Sequence, residues 1–556
     1  MNKKVCSFPI LFALLTLLIG TCAVVFPASA QAVPTSTGSI TVSGTVASSY
    51  DAYQIFSANV VDGDSDAKIA TDLAWASDAV RDAVLPVLHS AGMPNSQTTA
   101  QEAAEWLNAD SHLTSALSAQ LARSLQSSGA ESVALNAGTA AELSCGYWLI
   151  VADDDAIAQG EAGTAPTMAL VGGSAVTVKP KAATPKVSKH VLEDGTASWQ
   201  KAADATVADD LYWRLSATVP AGLAAYDTYT VQFVDTMSAG LDPSKVAASM
   251  HVYVAAGADG GFDAVSAGKD GRAGTEPAKG WTDITAQCAT KVAADGKTFT
   301  VRTGDLIAAL GGADAFAAGA RVVAVYNAPL NSACNHGIAK GNPNEVYLRY
   351  PRSPFADQSG EAGFTRTLSD DACAYTWDLA LTKRGSDGDK PLAGAVLSIA
   401  DDRGRTLAAD GTWDAEGKAT VTTGEDGRVT VSGVDSGKLE VRELKAPKGY
   451  TAFEGIRSVT VKAEGLDVDQ VAAAKPKLTI TAESPLRADS ADGSTGSLEA
   501  SIINTPTGTP PSITTGGFMP STGDMAMYAA AAAAVAGAAL IVVALLVKRG
   551  GGSHKE

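Results

Sequence analysis

The most specific spacing in this sequence links a lysine, a glutamate and an asparagine in the C-terminal third of the chain. Lys383, Glu443 and Asn504 each lie in a strand-like segment, in phase with apolar residues two positions away. Lys383 lies two residues after Leu381, and Asn504 lies two residues after Ile502. Because side chains two residues apart share one face of a strand, all three polar groups should face a core.

Burial of these three groups together permits a reaction. Desolvation favours the neutral amine of Lys383 and the protonated acid of Glu443. Glu443 can then polarise the amide of Asn504 and shuttle a proton, while the amine attacks and ammonia leaves. The expected product is an intramolecular isopeptide bond. The alternative is an ordinary buried ion pair between Lys383 and Glu443 beside an asparagine.

The segment from Glu443 to Tyr450 resembles the E-box, Glu-Thr-x-Ala-Pro-x-Gly-Tyr, of collagen-adhesin B-type domains in sortase-assembled pilins of Gram-positive bacteria. The chain departs from this pattern at Leu444, where threonine is usual, and at Leu439, where a leading tyrosine is usual. Neither change removes the acid. The resemblance implies that Glu443 catalyses the cross-link.

A second constellation resembles the middle domain of backbone (major) pilins, and it is carried by Pro185–Lys189, Phe233–Leu241 and Gly341–Tyr350. In that family a first-strand lysine, an aspartate and a last-strand asparagine play the same three parts. The resemblance implies Lys189 as nucleophile, Asp235 as catalytic acid and Asn344 as acceptor. Asn342 remains the alternative acceptor and Lys186 the alternative nucleophile, and Asp235 could instead merely open a turn.

Near the C-terminus, the pentapeptide Met519-Pro520-Ser521-Thr522-Gly523 precedes an apolar stretch and a short basic tail. These three parts resemble the cell-wall sorting signal of sortase substrates, with Met519 where leucine is usual. A sortase cysteine would attack the Thr522 carbonyl, release the chain from Gly523 onward and pass the threonyl group to an amine. The alternative is a plain single-span membrane protein.

The stretch Val176–Ala182 resembles the pilin motif, Tyr-Pro-Lys-Asn, at the junction of the first two pilin domains. Lys179 replaces the aromatic residue and Ala182 replaces the asparagine. The resemblance implies that Lys181 is the amine that captures Thr522 of the next subunit. The alternative is a basic interdomain linker.

Strands are the elements that must position these residues. Short alternating segments separated by Gly, Pro and Asp turns predict an all-β chain of tandem immunoglobulin-like sandwiches. We divide it into a signal peptide (1–30), an N-terminal pilin domain (31–178), a middle isopeptide-forming domain (179–371), a collagen-adhesin B-type domain (372–505), a linker (506–518), the sortase motif (519–523), a transmembrane helix (525–547) and a basic cytoplasmic tail (548–556).

The N-terminal domain should carry helical insertions within its sandwich. An Ala- and Leu-rich stretch from Asp66 to Gln126 predicts helix, and Thr99 with Glu102 predicts a capping box at one helix start. The domain contains no comparable lysine, acid and asparagine triad. We therefore expect it to be the least covalently protected part of the chain.

Two lysines, an apolar run and small residues up to Ala30 predict a secretory signal peptide, with Ala32 as an alternative cleavage site. Of the six cysteines, Cys145, Cys288, Cys334 and Cys373 remain after its removal. Four cysteines allow three sets of pairings. We expect Cys288 to pair with Cys334, because both lie in one predicted domain, with free thiols as the alternative.

Composition excludes several function classes. A net charge of −18 argues against nucleic-acid binding. No metal-ligand spacing, phosphate loop or hydrolase constellation is present, so neither an enzyme nor a cofactor is expected.

The resemblance implies a structural backbone subunit of a wall-anchored pilus on the Gram-positive surface, reached through a transient membrane precursor. Its implied partners are class C-type and housekeeping sortases, other pilin subunits, peptidoglycan and host surface ligands. The alternative is a monomeric wall-anchored adhesin.

Overall fold

The computed structural model describes residues 36–64, 67–109, 111–163, 165–180, 184–257 and 280–508. The expected signal peptide, Lys181, the sortase motif, the transmembrane segment and the basic tail lie outside these residues. Within the described part of the chain, no helix is long and apolar enough to cross a membrane.

The first module combines two sheets with a group of helices. Its sheets have the strand orders β5-β1-β8 and β3-β2-β6-β7, with β4 also paired to β2. The elements are β1 (Thr37–Val42), β2 (Ser49–Asp62), β3 (Lys68–Trp75), α1 (Asp78–Ser90), α2 (Ala100–Asn108), α3 (Ser115–Ser128), β4 (Val133–Asn136), β5 (Ala140–Ser144), β6 (Gly146–Ala152), β7 (Thr167–Val171) and β8 (Val176–Val178).

The helices begin where side chains can accept hydrogen bonds from free backbone N–H groups. Thr99 and Glu102 form the predicted capping box at the start of α2, which confirms that prediction. Helix does not occupy the whole expected stretch, however. The strand β3 takes its first part, because it pairs along β2 in a hairpin.

The middle module is a sandwich of two larger sheets, with orders β10-β9-β12-β18-β14-β15 and β11-β21-β19-β13-β17-β16; β20 joins the second sheet at β19. The elements are β9 (Lys186–Glu193), β10 (Ser198–Gln200), β11 (Ala202–Asp204), β12 (Tyr212–Val219), β13 (Gln232–Met237), α4 (Val246–Ser249), β14 (His251–Ala256), β15 (Thr282–Asp283), β16 (Ala289–Val292), β17 (Thr298–Arg302), α5 (Leu306–Ala309), β18 (Ala320–Asn327), β19 (Asn342–Pro351), β20 (Phe364–Arg366) and β21 (Asp370–Tyr375).

The third module is a second sandwich, with orders β27-β22-β33-β29 and β25-β24-β23-β28-β30-β31; β32 pairs with β33 and β26 with β23. The elements are β22 (Trp377–Gly385), β23 (Val396–Ala400), β24 (Thr406–Leu407), β25 (Trp413–Asp414), β26 (Val421–Thr422), β27 (Arg428–Val434), β28 (Gly437–Lys445), β29 (Tyr450–Thr451), β30 (Ile456–Glu464), β31 (Lys477–Ala482), β32 (Leu486–Asp492) and β33 (Ser497–Pro506). The expected all-β fold of tandem sandwiches, with helices in the first module, is thus confirmed.

The middle and third modules meet with almost no linker. Strand β21 pairs with β19 and β11, so it belongs to the middle sandwich, and the boundary expected between residues 371 and 372 falls inside it. Only the buried Thr376 separates β21 from β22. Across this joint, the indole N–H of Trp377 donates to Asp204 at 2.6 Å, and Arg405 holds both carboxylate oxygens of Asp209 at 2.5 and 2.7 Å.

The cores of the modules differ in their polar content. Among the described residues of the first module, the buried polar side chains are Ser57 and Ser118, and no lysine, carboxylate or asparagine is fully buried. The middle and third cores bury several such groups. This difference in buried polar groups is a physical reason to expect the least covalent protection in the first module, which remains a prediction.

The start of β6 gives a stability prediction for the first module. Gly146 has a φ of +139°, and a Cβ there would lie 2.0 Å from the carbonyl oxygen of Phe56. Gly44 has a φ of +128° but nothing within 4 Å of a Cβ. Both alanine variants add backbone strain, but only Gly146→Ala adds a backbone clash. We expect it to lower the free energy of unfolding by about 2 kcal/mol more than Gly44→Ala.

Denaturant unfolding of both variants checks this prediction, with proteolysis assigning the transition to the first module. Equal losses of stability in the two variants would contradict the role of the close approach at Phe56.

Candidate functional site

Neighbouring strands and the opposing sheet assemble the cluster in the third module. Strands β22 and β33 run parallel, and Lys383 pairs with Ile502, two residues before Asn504. Glu443 comes from β28 in the opposite sheet, where alternation turns it inward. The side chains of Lys383 and Glu443 are both 0% exposed. The structure therefore brings together the three residues that the sequence grouped.

One carboxylate oxygen of this cluster touches both of the other groups. Glu443 Oε1 lies 2.9 Å from Lys383 Nζ and accepts a hydrogen bond from Asn504 Nδ2 at 2.8 Å. Lys383 Nζ in turn donates to Asn504 Oδ1 at 2.5 Å. The other carboxylate oxygen accepts from the backbone N–H of Phe453 at 3.0 Å. These contacts fix the acid between the amine and the amide.

The surroundings favour a neutral amine. Burial lowers the pKa of Lys383 to about 8, against the opposing effect of Glu443. A neutral lysine amine is a nucleophile, and the carbonyl carbon of Asn504 is an electrophile within its reach. Because Glu443 contacts both nitrogens, it can accept a proton from one and donate a proton to the other.

The cluster in the middle module is built differently. Lys189 lies on β9 in one sheet, whereas Asp235 and Asn344 lie on the adjacent strands β13 and β19 of the other. All three residues are 0% exposed. Because β20 and β21 follow β19 in the same sheet, the expectation that the asparagine lies on the last strand is wrong. The lysine instead faces the acid and the amide across the core.

A tyrosine that the sequence reasoning missed lies at the centre of this cluster. Lys189 Nζ donates to Asp235 Oδ2 and, at 2.9 Å, to the hydroxyl of Tyr326. The same hydroxyl accepts from Asn344 Nδ2 at 2.8 Å and donates to Asp235 Oδ2 at 3.1 Å. The sequence did contain one signal for this residue. Tyr326 lies in phase with apolar residues on β18, and a buried hydroxyl needs a polar partner.

Desolvation also dominates the electrostatics of the middle cluster. Burial lowers the pKa of Lys189 to about 8 and raises the pKa of Asp235 above its ordinary value, although the two groups oppose each other's shifts. The pKa of the Tyr326 hydroxyl is raised well above its usual value by burial and by Asp235. Both directions favour a neutral amine beside a protonated acid, the pair that amide formation needs.

The alternative residues in this module have other surroundings. Asn342 is buried, but its side chain bonds the backbone of Asn335 and Ala374, which marks it as a structural group. Lys186 is exposed. The structure thus places Lys189 and Asn344, rather than these alternatives, beside Asp235.

The expected pairing of Cys288 with Cys334 is wrong, because all four described cysteines are free. The thiol of Cys288 donates to the carbonyl of Ile284 at 3.3 Å, whereas that of Cys334 lies 3.6 Å from His336 Nε2. Sharing a domain did not bring the two thiols together. Within the described residues, no group of three or more potential ligands could hold a metal ion.

The fold and the clusters define a class of protein: consecutive β-sandwiches that each bury a lysine amine against a carboxylic acid, with an asparagine amide joined to the cluster by hydrogen bonds. Residues 378–475 match the family described as "SpaA: Prealbumin-like fold domain". The trypsin-resistant surface T6 protein of Streptococcus pyogenes serotype M6 is 30% identical over 134 residues. That alignment covers 23% of this chain and 23% of the T6 protein, so it spans less than a quarter of this curated relative.

Two solved structures are similar over longer stretches. The T6 backbone pilin of serotype M6 Streptococcus pyogenes has 16% identity and a TM-score of 0.46, over 85% of this chain and 98% of that chain. The full-length major pilin SpaD from Corynebacterium diphtheriae has 15% identity and a TM-score of 0.41, over 85% and 98%. The first of these proteins is described as a backbone pilin and the second as a major pilin. The family match and the curated relative confirm the resemblance to backbone pilins.

The buried amine of Lys383 gives a pH prediction. Asn504→Ala keeps this amine unreacted. Its pKa of about 8 in the folded protein is below the ordinary 10.5, so between these values the unfolded chain binds more protons. The free energy of unfolding of this variant should therefore rise with pH across that window, by on the order of 3 kcal/mol.

Denaturant unfolding below, within and above the window measures this effect. The double variant Lys383→Met, Asn504→Ala lacks the amine and should lose this part of the pH dependence. The same pH dependence in both variants would contradict the prediction.

Proposed function

We propose that this chain is the backbone subunit of a covalently polymerised pilus on a Gram-positive surface, stabilised by internal Lys383–Asn504 and Lys189–Asn344 isopeptide bonds. The observation that carries this proposal is the burial, in two consecutive sandwiches, of a lysine amine within contact of a carboxylic acid and near an asparagine amide. Burying one charged amine costs free energy, and burying a second in the same way indicates that both lysines have the same function.

Each internal bond forms by the same balanced reaction. The neutral lysine amine attacks the side-chain carbonyl carbon of the asparagine, and a new C–N bond forms as the bond to Nδ2 breaks. The attacking nitrogen gives a proton to the acid, and the leaving nitrogen receives one and departs as ammonia. No oxidant, metal or cofactor enters this balance. Glu443 serves as the acid in the third module and Asp235 in the middle module.

Such bonds suit a shaft under tension. The third-module bond ties the first and last strands of its sandwich, and the middle-module bond ties its two sheets across the core. A cross-link closing the 121-residue separation of Lys383 and Asn504 restricts the unfolded chain by on the order of 4 kcal/mol. Unlike a disulfide, an amide resists reduction. The benefit is kinetic as well as thermodynamic.

The polymerisation reaction joins a donor threonine of one subunit to an acceptor lysine of the next. Thr522 is the donor, attacked by a class C-type sortase and passed to Lys181 of the next subunit. A housekeeping sortase attaches the completed polymer to peptidoglycan. The subunit reaches the wall as a transient membrane precursor. Host surface ligands are further partners of the exposed pilus.

Intact mass tests the internal bonds. The recombinant chain, without its signal peptide and membrane segment, should weigh less than its sequence by two molecules of ammonia. Glu443→Ala should remove one of these losses and leave the third module folded but sensitive to protease. Glu440→Ala is the matched control, since its carboxylate lies on the same strand but is 41% exposed beside Lys438. A wild-type chain of full sequence mass would refute both bonds.

Wall extracts test the polymerising role of Lys181. In the native host, Lys181→Ala should abolish the high-mass ladder on an immunoblot and leave monomer attached to the wall. Lys179→Ala, two residues away, is the control and should retain the ladder. An undiminished ladder in Lys181→Ala would sink the assignment of this lysine. A wild-type protein without any ladder would favour the monomeric adhesin.

A further inference from the structure

The two clusters differ in how the acid reaches the leaving nitrogen. In the third module, Glu443 Oε1 contacts both Lys383 Nζ and Asn504 Nδ2. In the middle module, among the described residues, Asp235 Oδ2 bonds only Lys189 and Tyr326, and Asp235 Oδ1 has no hydrogen-bond partner. A gap therefore separates the acid from the nitrogen that must be protonated.

The hydroxyl of Tyr326 fills this gap. It accepts hydrogen bonds from Lys189 Nζ and Asn344 Nδ2 and donates one to Asp235 Oδ2, which uses its one proton and both acceptor positions. We infer that Tyr326 is a catalytic residue of the middle-module cross-link, in which its hydroxyl relays a proton from Asp235 to the leaving nitrogen of Asn344. This inference rests on the proposed isopeptide bond.

Packing holds the hydroxyl in place. Tyr326 is 0% exposed, and the ring of Phe299 meets its ring edge-on with centroids 4.8 Å apart. Lys189 Nζ lies 5.4 Å from the tyrosine ring. The pKa of the hydroxyl lies well above its ordinary value, so the proton stays on the oxygen until a stronger base develops beside it. The tetrahedral intermediate supplies that base when the amide nitrogen becomes an amine.

The relay conserves every proton. Attack of the Lys189 amine on the carbonyl carbon of Asn344 turns the amide nitrogen into an amine with a free electron pair. The two hydrogen bonds of the tyrosine hydroxyl to Asp235 and Asn344 then reverse, so that it gives its proton to Nδ2 and takes one from protonated Asp235. The C–N bond to Nδ2 then breaks, and ammonia leaves. Asp235 regains a proton from the attacking nitrogen of Lys189, so the acid and the tyrosine end as they began. The net change is one amide bond formed and one ammonia released.

The different acids explain why one module needs the relay. Glutamate has one more methylene than aspartate, and Glu443 reaches in from the opposite sheet to a position between the other two groups. Asp235 instead lies on the strand next to Asn344, where Met237 rather than Asp235 is its register partner. From this position the carboxylate bonds Lys189 and Tyr326, and the hydroxyl bonds the amide.

Time-resolved mass spectrometry of Tyr326→Phe tests the relay, because this change removes the hydroxyl and keeps the ring. The chain is synthesised in a cell-free reaction and quenched at intervals, and the tryptic cross-links of both modules are quantified. We expect the Lys189–Asn344 link to form on the order of 10²-fold more slowly than in the wild type. The Lys383–Asn504 link in the same molecules should form at the wild-type rate.

Two controls separate the hydroxyl from its packing. Tyr350→Phe removes another buried hydroxyl of the same core and should leave both rates unchanged. Thermal unfolding of Lys189→Met with and without Tyr326→Phe measures the folding cost of the change in chains that cannot cross-link. If the phenylalanine variant does not fold, Tyr326→Met, which fills the site with a flexible apolar chain, is measured in the same way.

Each outcome decides the question. A folded Tyr326 variant that forms the middle link at the wild-type rate would overturn the relay and leave the proposed bond intact. A wild-type chain with no link between Lys189 and Asn344 would overturn both. Selective slowing of the middle link supports the relay.

Discussion

A lysine amine enclosed in an apolar core is the interaction on which the middle and third modules depend. Lys189 and Lys383 are both 0% exposed, and a charged amine in such a place carries a desolvation penalty of several kcal/mol unless it is paired or neutral. Each core meets this cost in two ways. A carboxylic acid contacts the amine, and burial brings the pKa of the amine down to about 8. The groups that make burial tolerable are also those that amide formation needs.

The two sandwiches reach this arrangement by different routes. In the third module, the lysine and the asparagine lie on adjacent parallel strands, and the acid crosses from the other sheet. In the middle module, the acid and the asparagine share a sheet, and the lysine crosses. A longer acid suits the first geometry because it must contact both nitrogens. A shorter acid with a tyrosine hydroxyl suits the second.

The joint between the middle and third modules is short and tightly held. One buried residue connects β21 to β22, so a strand of one sandwich leads directly into the first strand of the next. Hydrogen bonds from Trp377 to Asp204 and from Arg405 to Asp209 hold the sandwiches together beside that connection. The first module lacks a buried triad among its described residues, and its helices rely on apolar packing. The proposed isopeptide bonds thus lie in the two sandwiches that are connected directly, strand to strand.

The sequence alone determined the all-β class, the capping box of α2 and the inward phase of Lys383, Glu443 and Asn504, because strand alternation and helix capping are local properties. It did not determine where the expected helical stretch yields to β3, where the middle sandwich ends, or whether Cys288 meets Cys334. Those outcomes depend on which strands pair and which loops approach, and these contacts join residues far apart in the chain. Tyr326 is the clearest case. Strand alternation placed it in a core, but its hydroxyl reaches Lys189, Asp235 and Asn344 only because β18 pairs with β12, the neighbour of β9, and faces β13 and β19 across the core.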